Sequence, residues 1–279
     1  MTTDERESPD HLRQIELVYG SASRGVFDPL DESLDPRGPD TMLELAGSYL
    51  GSESLVLDIG CRHAGHLIRL VQAHGCRGVG LDPVDVDRAG AAVEEAGLGE
   101  RIQIKQGVIE QIEEPSDRFD LIWCRDMLEL VEPLDRGLAE AARVLKPEGV
   151  MVVFTNFVTE LLSPAEAAMI HAPLGNIAKN FDEEAMEDAF RHAGFVVARK
   201  DVIGTEWREH DEERAGSVSR DLLRLARLRR RREELVAVHG QELYDLAQAS
   251  LQWRTYQLLG KLQPTLYVLE PKRAGYDRV

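Results

Sequence analysis

In the stretch LVLDIGCRHAGHL, residues 55–67, an apolar run ends in an acidic residue and a glycine, Asp58 and Gly60. A glycine here lets the backbone approach a ligand closely, and a following helix presents free N–H groups to an anion. Asp82, in VGLDP, comes 22 residues after Gly60, a spacing typical of a carboxylate that accepts hydrogen bonds from a ribose diol. Either acid alone fits a turn or a helix cap equally well. Together, in this order and spacing, they predict a nucleotide-type cofactor site.

The elements around these acids alternate between apolar strands and amphipathic helices. The predicted strands are LVLDIG, GVGLD, IQIKQG, FDLIWC, VMVVFTNF, FVVARKDVIG and TLYVLEP. Apolar strands alternating with helices indicate a parallel sheet covered on both faces. We therefore predict an α/β fold with a doubly wound, mostly parallel sheet. Ligands of such sheets bind at the carboxyl ends of the strands, where these acids lie.

Four motifs in order, VLDIGC, VGLD, FDLIWCRDMLEL and ARVLKPEGVMVV, resemble a class I S-adenosylmethionine-dependent methyltransferase of the small-molecule type. The resemblance covers about residues 50–200, and 264–270 completes the expected seven-stranded Rossmann-like sheet. RVLKPEG matches the family's Arg-Val-Leu-Lys-Pro-Gly-Gly turn, with Glu148 in place of one glycine. The resemblance implies S-adenosylmethionine as the cofactor and S-adenosylhomocysteine as its product.

The resemblance also implies a role for each residue that follows a strand. The methionine end of the cofactor is expected at the first loop, the ribose after the second strand, the adenine after the third, and the sulfonium above the fourth. The implied cofactor-binding residues are, in that order, Asp58, Gly60, Cys61 and Arg62; Asp82 and Pro83; Val108 and Ile109; Cys124 and Arg125.

Two positions depart from the family pattern. The loop reads GCRHAG, so Arg62 and Ala64 stand where glycines are usual, and we expect the Arg62 guanidinium to pair with the cofactor carboxylate rather than point to solvent. Val108 stands where an acidic residue often bonds the adenine amino group, so adenine recognition falls to backbone atoms or to Glu110. The loop is interpreted as modified rather than broken.

Composition restricts the choice of partners. The 279-residue chain has a formal net charge of −17, which repels RNA and DNA. The exception is Arg224 to Arg232, which could form a basic face, although flanking acids favour a solvated helix. No apolar run is long enough to span a membrane, and the N-terminus lacks a secretory pattern. Three cysteines favour the cytoplasm. We expect a small-molecule substrate and neither a nucleic-acid nor a membrane partner.

The chain is predicted to divide around one methyltransferase core. The core comprises residues 46–205 and 263–273, and a helical insertion at 206–262 serves as a substrate lid. Residues 1–45 form a helical and loop segment that either closes over the site or contacts a second subunit in a homodimer. Residues 274–279 form a tail.

Candidate catalytic and substrate residues follow the fourth and fifth strands and occupy the insertion. A hydroxyl acceptor benefits from a general base, and His171 and Asp126 are the candidates, although each also fits a structural role. The candidate substrate contacts are Trp207, Trp253, Tyr256 and Gln257. Trp253 and Tyr256 lie at helical spacing, which fits a packing face equally well. No His/Cys cluster has zinc-ligand spacing, so no metal is expected.

Three classes of function remain open. The favoured hypothesis is methyl transfer to an oxygen, or alternatively to an amine, of a small molecule in natural-product biosynthesis. The second is an RNA or protein methyltransferase that uses the arginine face. The third is a non-methylating cyclase or binding partner on the same fold, which the departures at Arg62 and Val108 keep open.

Overall fold

The computed structural model describes residues 9–19 and 24–272. Contacts divide these residues into two units, one reaching Pro36 and one starting at Arg37. The first unit holds helices α1 (Pro9–Tyr19) and α2 (Arg24–Phe27), and its described side chains as far as Asp35 are all exposed. Its predicted role as a lid or dimer contact stays a prediction.

The second unit alternates helices with strands, as the sequence pattern predicts. In chain order it comprises α3 (Pro39–Gly47), β1 (Leu55–Ile59), α4 (Gly65–His74), β2 (Arg77–Asp82), α5 (Val86–Glu95), β3 (Ile102–Gln106), β4 (Phe119–Arg125), α6 (Leu134–Val144), β5 (Leu145–Val158), α7 (Pro164–Leu174), α8 (Glu183–His192), β6 (Phe195–Val202), α9 (Glu206–Ala215), α10 (Ser217–Arg230), α11 (Arg232–His239), α12 (Gln241–Leu258) and β7 (Leu262–Pro271).

The seven strands form one sheet in the order β3-β2-β1-β4-β5-β7-β6. Pairing is parallel except at β7, which is antiparallel to both β5 and β6. The predicted doubly wound, mostly parallel sheet is confirmed. Because β1, β2 and β4 are parallel neighbours or next neighbours, their carboxyl ends meet at one edge of the sheet.

Each face of the sheet carries its own apolar core. On one face, α6 and α8 bury residues such as Leu138 and Phe190 against β1, β4 and β5. On the other, α3, α4 and α5 bury Leu67 and their neighbours, and Trp207 of α9 joins this core. Because α3 buries Met42 in the same core, the structure packs it with the sheet, across the predicted boundary at residue 45.

The region between β6 and β7 is helical, from α9 to α12. It leaves and re-enters the sheet at one point, because Ile203 N and Gly204 N both donate to Pro264 O, at 2.9 and 3.1 Å. The long helix α12 packs against α7 and α10. Within the described ranges, no helix is both long and apolar enough to cross a membrane.

Candidate cofactor site

A cavity of about 520 Å³ opens at the carboxyl ends of β1, β2 and β4. This is the edge at which the sequence pattern places the predicted acids. The cavity is lined by Asp58, Gly60, Cys61, Arg62, His63, Gly65, His66, Asp82, Pro83, Val84, Trp123, Arg125, Asp126, Met127 and Leu130.

The loop between β1 and α4 is fixed by backbone hydrogen bonds. Gly60 N and Cys61 N both donate to Leu81 O on β2, at 2.8 and 3.2 Å. Gly60, Arg62 and Ala64 have φ values of 74°, 50° and 58°, all in the left-handed region. The loop therefore keeps a glycine-type backbone although two of its residues carry side chains, and it places the N-terminus of α4 at the cavity.

Asp82 joins this loop to the end of β2. Its Oδ2 accepts from Arg62 N at 2.8 Å and its Oδ1 from Val84 N at 3.0 Å. The side chain is almost fully buried at the cavity wall, and each carboxylate oxygen keeps a further lone pair. Burial, followed by the charge of Asp82, raises the pKa of the neighbouring Asp58 to about 7. Such an arrangement fits a bound ribose diol.

Arg125 occupies the floor of the cavity in a fixed orientation. Its Nη1 lies 2.7 Å from His66 Nε2, and its Nε lies 3.2 Å from Asp126 Oδ2. The guanidinium carbon also lies 5.1 Å from the ring centre of Trp207 and 5.7 Å from that of Phe154. Burial, aided by the Arg125 charge, lowers the pKa of His66 to about 4. His66 is thus a neutral acceptor for the guanidinium at neutral pH.

A buried polar network runs from the cavity into the helical insertion. Asn156 Nδ2 donates to Asp126 Oδ1 at 3.0 Å and to Glu129 Oε1 at 3.2 Å. Asn156 Oδ1 accepts from Gln257 Nε2 at 2.5 Å, and Gln257 Oε1 accepts from Arg208 Nε at 2.6 Å. Burial raises the pKa of Glu129 to about 7, with the Asp126 charge adding to it. The network holds the Asp126 carboxylate at the cavity.

The structure gathers most of the predicted cofactor residues at one cavity. Three of them lie elsewhere. Val108 lines a neighbouring cavity of about 220 Å³ beside β3, and its side chain is exposed there. Ile109 and Cys124 are fully buried in the core, so only their backbone atoms could reach a ligand.

The predicted substrate side chains are not brought to the cavity lining. Trp207 is buried in the core beneath Arg125. Trp253 and Tyr256 join an apolar cluster between α7 and α12 that also contains Phe181. Gln257 is fully buried in the polar network. These side chains take part in packing and internal hydrogen bonds, and their predicted contact with the substrate stays a prediction.

The two predicted bases are separated. Asp126 lines the cavity, and its side chain is 41% exposed. His171 lies on α7 with its ring centre 4.4 Å from that of Phe181, and it does not line the cavity. Burial lowers its pKa. Geometry favours Asp126 over His171.

Sequence reasoning missed Asn156 and Arg208, which complete the polar network. Asn156 interrupts the apolar run VMVVFTNF near the end of β5, and a polar side chain in a buried strand is a usable signal. Arg208 carried no such signal, because EWREH reads as an exposed acidic helix.

Residues 33–200 match the model of a methyltransferase domain family. The chain belongs to this family. A curated relative, the probable chloroplastic tocopherol O-methyltransferase of Oryza sativa subsp. japonica, is 25% identical over 162 residues, which is 56% of this chain and 44% of the relative. The chain thus spans less than half the length of that relative.

Two solved structures share the fold. The geranyl diphosphate C-methyltransferase from Streptomyces coelicolor A3(2), in complex with Mg²⁺, geranyl diphosphate and S-adenosylhomocysteine, has a TM-score of 0.62 at 16% identity over 83% of this chain and 76% of its own. The cyclase SpnF has a TM-score of 0.65 at 18% identity over 84% of this chain and 82% of its own. The predicted resemblance to class I S-adenosylmethionine-dependent methyltransferases is confirmed, with the cofactor that this class uses.

Proposed function

We propose that this protein transfers the methyl group of S-adenosylmethionine to an oxygen of a small molecule, in the biosynthesis of a specialised metabolite. The observation that carries the proposal is the single cavity at which Asp82, the N-terminus of α4 and the carboxylate of Asp126 meet. Three free, buried cysteines suit the reducing cytoplasm that we propose as its location.

The cavity residues suit the parts of this cofactor. Asp82 offers its remaining lone pairs to the ribose hydroxyls. The backbone N–H groups at the start of α4, together with the positive charge of Arg62, which lines the cavity, suit the methionine carboxylate. Burial raises the pKa of the Cys61 thiol to about 12, so Cys61 lines the cavity as a neutral group and not as a nucleophile.

Asp126 is the group that suits removal of the acceptor's proton. When bound, the cofactor supplies an activated methyl group for in-line displacement. Asp126 would accept the hydroxyl proton of the acceptor as the acceptor oxygen displaces the thioether product from the methyl carbon. Asn156 and Arg125 hold the Asp126 carboxylate, which limits its motion before the reaction.

Calorimetric titration with S-adenosylhomocysteine tests the proposal. We expect micromolar binding by the wild type, loss of binding in Asp82→Ala, and wild-type binding in Asp126→Asn. In methyl-label transfer to a small-molecule pool, Asp126→Asn is expected to lower turnover by a factor of about 100 to 10,000, the range of general-base catalysis.

Three results would contradict the proposal. Cofactor binding without turnover of any small molecule favours the non-methylating cyclase or partner. Labelling of bulk RNA or of protein alone favours the macromolecular alternative. Full turnover by Asp126→Asn favours an amine acceptor that needs no base.

A further inference from the structure

The most basic part of this acidic protein is α10 with the two residues after it, residues 217–232, here called the basic segment. It contains seven arginines and one aspartate in a chain whose formal net charge is −17. The proposed methyl transfer gives this segment no task, since the cavity lies at the ends of β1, β2 and β4.

Only part of this positive charge is neutralised locally. Asp221 pairs with Arg224 at 3.3 Å, and Arg231 pairs with Glu234. Among the residues that the structure describes, no carboxylate forms an ion pair with three exposed arginines of the segment, Arg227, Arg229 and Arg230. These three guanidinium groups therefore present unneutralised charge to solvent.

Apolar side chains share the exposed face of α10. Val218, Asp221 and Leu225 form its buried face. Leu222 and Leu223 are 48% and 49% exposed. At about 100° per residue, Leu223 lies on the side opposite the buried residues, between Arg227 and Arg230. Leu222 and Arg229 lie together at one edge of the buried face. The helix thus presents leucine and arginine together on its outer surface.

We propose that the basic segment binds the surface of a bilayer that contains anionic phospholipid. Leucines on a basic helix face can enter the boundary between headgroups and acyl chains, while flanking guanidinium groups contact lipid phosphates. Long arginine side chains reach phosphate from a helix whose apolar residues are buried deeper. The segment does not span the bilayer, so this proposal changes only the expectation of no membrane partner.

The observations favour a membrane over RNA as the occupant. Single-stranded RNA is bound through bases stacked on aromatic side chains, and residues 217–232 contain no aromatic residue. Exposed leucines gain nothing from a phosphate backbone, but they gain from a lipid boundary. At physiological ionic strength charges are screened within about 8 Å, so the acidic remainder of the chain does not cancel the local attraction.

Co-sedimentation of the full chain with vesicles tests the proposal. Vesicles of phosphatidylcholine with about 30 mol% of the anionic lipid phosphatidylglycerol are compared with vesicles of pure phosphatidylcholine. We expect binding to the anionic vesicles only. Replacing Arg227, Arg229 and Arg230 by Gln should lower the partition coefficient about a hundredfold, since each arginine contributes about fivefold. Leu222→Asn with Leu223→Asn should lower it about tenfold.

A matched control replaces three exposed arginines from other elements, Arg77, Arg136 and Arg191, by Gln. This control makes the same change in net charge and should leave vesicle binding within about twofold. Circular dichroism melts and titration with S-adenosylhomocysteine establish that every variant is folded. No vesicle binding by the wild type, equal loss in the control, or unchanged binding by the leucine variant would overturn the proposal. So would arginine-dependent binding of bulk tRNA, or self-association, without vesicle binding.

Discussion

Two residues in the loop between β1 and α4 hold a backbone conformation that normally belongs to glycine. Arg62 and Ala64 have φ values of 50° and 58°. At Arg62 the conformation is held from outside the loop, because Leu81 O accepts from Gly60 N and Cys61 N and Asp82 accepts from Arg62 N. Left-handed conformations cost a residue with a side chain roughly 1–2 kcal/mol. The backbone conformation that places the N-terminus of α4 at the cavity therefore lowers the stability of the folded protein.

Replacing Ala64 by Gly tests this cost. Relief of left-handed strain should offset the entropy cost of glycine and the lost methyl contact, leaving the free energy of unfolding within about 1 kcal/mol of wild type. Ala141→Gly, at an equally buried site inside α6, has no strain to relieve and should lose about 2 kcal/mol. Urea denaturation measures both variants. Equal losses at the two sites would mean that position 64 is unstrained.

At the residue scale, the sequence predicted where the site residues lie better than it predicted their backbone conformation. Asp58, Gly60 and Asp82 were predicted at one edge because parallel strands place their ends together, and they line one cavity. The left-handed backbone at Arg62 was not predictable, because it depends on a hydrogen bond to Asp82 on another strand. The exposure of Val108 beside a separate cavity likewise depends on how the chain leaves β3.

At the scale of elements, the helical insertion is joined to the sheet by polar groups as well as by apolar packing. Gln257 on α12 links Asn156 on β5 to Arg208 on α9, and all three side chains are largely or fully buried. Buried polar groups are costly unless every partner is present. The network therefore fixes the register of α12 against the strand that carries Asn156.

Gln257→Leu removes the central link of this network. Asn156 Oδ1 and Arg208 Nε would each lose a buried partner, and we expect the free energy of unfolding to fall by about 3 kcal/mol. Gln248→Leu on the same helix is the control, because the side-chain amide of Gln248 donates only a weak hydrogen bond, to the sulfur of Met169 at 3.8 Å. This variant should change the free energy of unfolding by less than about 1 kcal/mol. A Gln257 variant no less stable than the Gln248 variant would show that the network adds nothing.

Helical spacing predicted the insertion but not its packing. Trp253 and Tyr256 lie one turn apart, which fits either a substrate face or a packing face. They pack toward α7, in the apolar cluster with Phe181. The choice depends on where α7 lies, and its segment, SPAEAAMIHAPLGN, has no clear apolar periodicity. Gln257 and Arg208 were similarly ambiguous, because only contact with Asn156 gives them a buried role.

For the whole molecule, buried titratable groups make stability depend on pH in opposite directions. Glu129, with its folded-state pKa raised to about 7, stabilises fully below its unfolded pKa and loses that contribution as pH rises toward 7. His66, with its pKa lowered to about 4, loses its contribution as pH falls from 6.5 toward 4. The two slopes partly cancel in the wild type.

Variants with a neutral amide in place of each titratable group separate these opposing contributions. Relative to Glu129→Gln, the wild type should lose up to about 1.4 kcal/mol of stability for each pH unit between about 4.5 and 7. Relative to His66→Gln, it should lose stability as pH falls below about 6.5. Chemical denaturation at several pH values between about 4.5 and 7.5 measures both differences. A pH-independent difference for either variant would contradict its shifted pKa.

The helical insertion begins and ends at neighbouring atoms. Ile203 and Gly204 both donate to Pro264 O, so four helices leave and rejoin the sheet at a single hydrogen-bonded corner. A segment attached in this way can change in length and sequence during evolution while the strands keep their order. The insertion can therefore be exchanged as a unit during evolution. The main constraints on its sequence are Trp207 and Gln257, which hold it to the sheet.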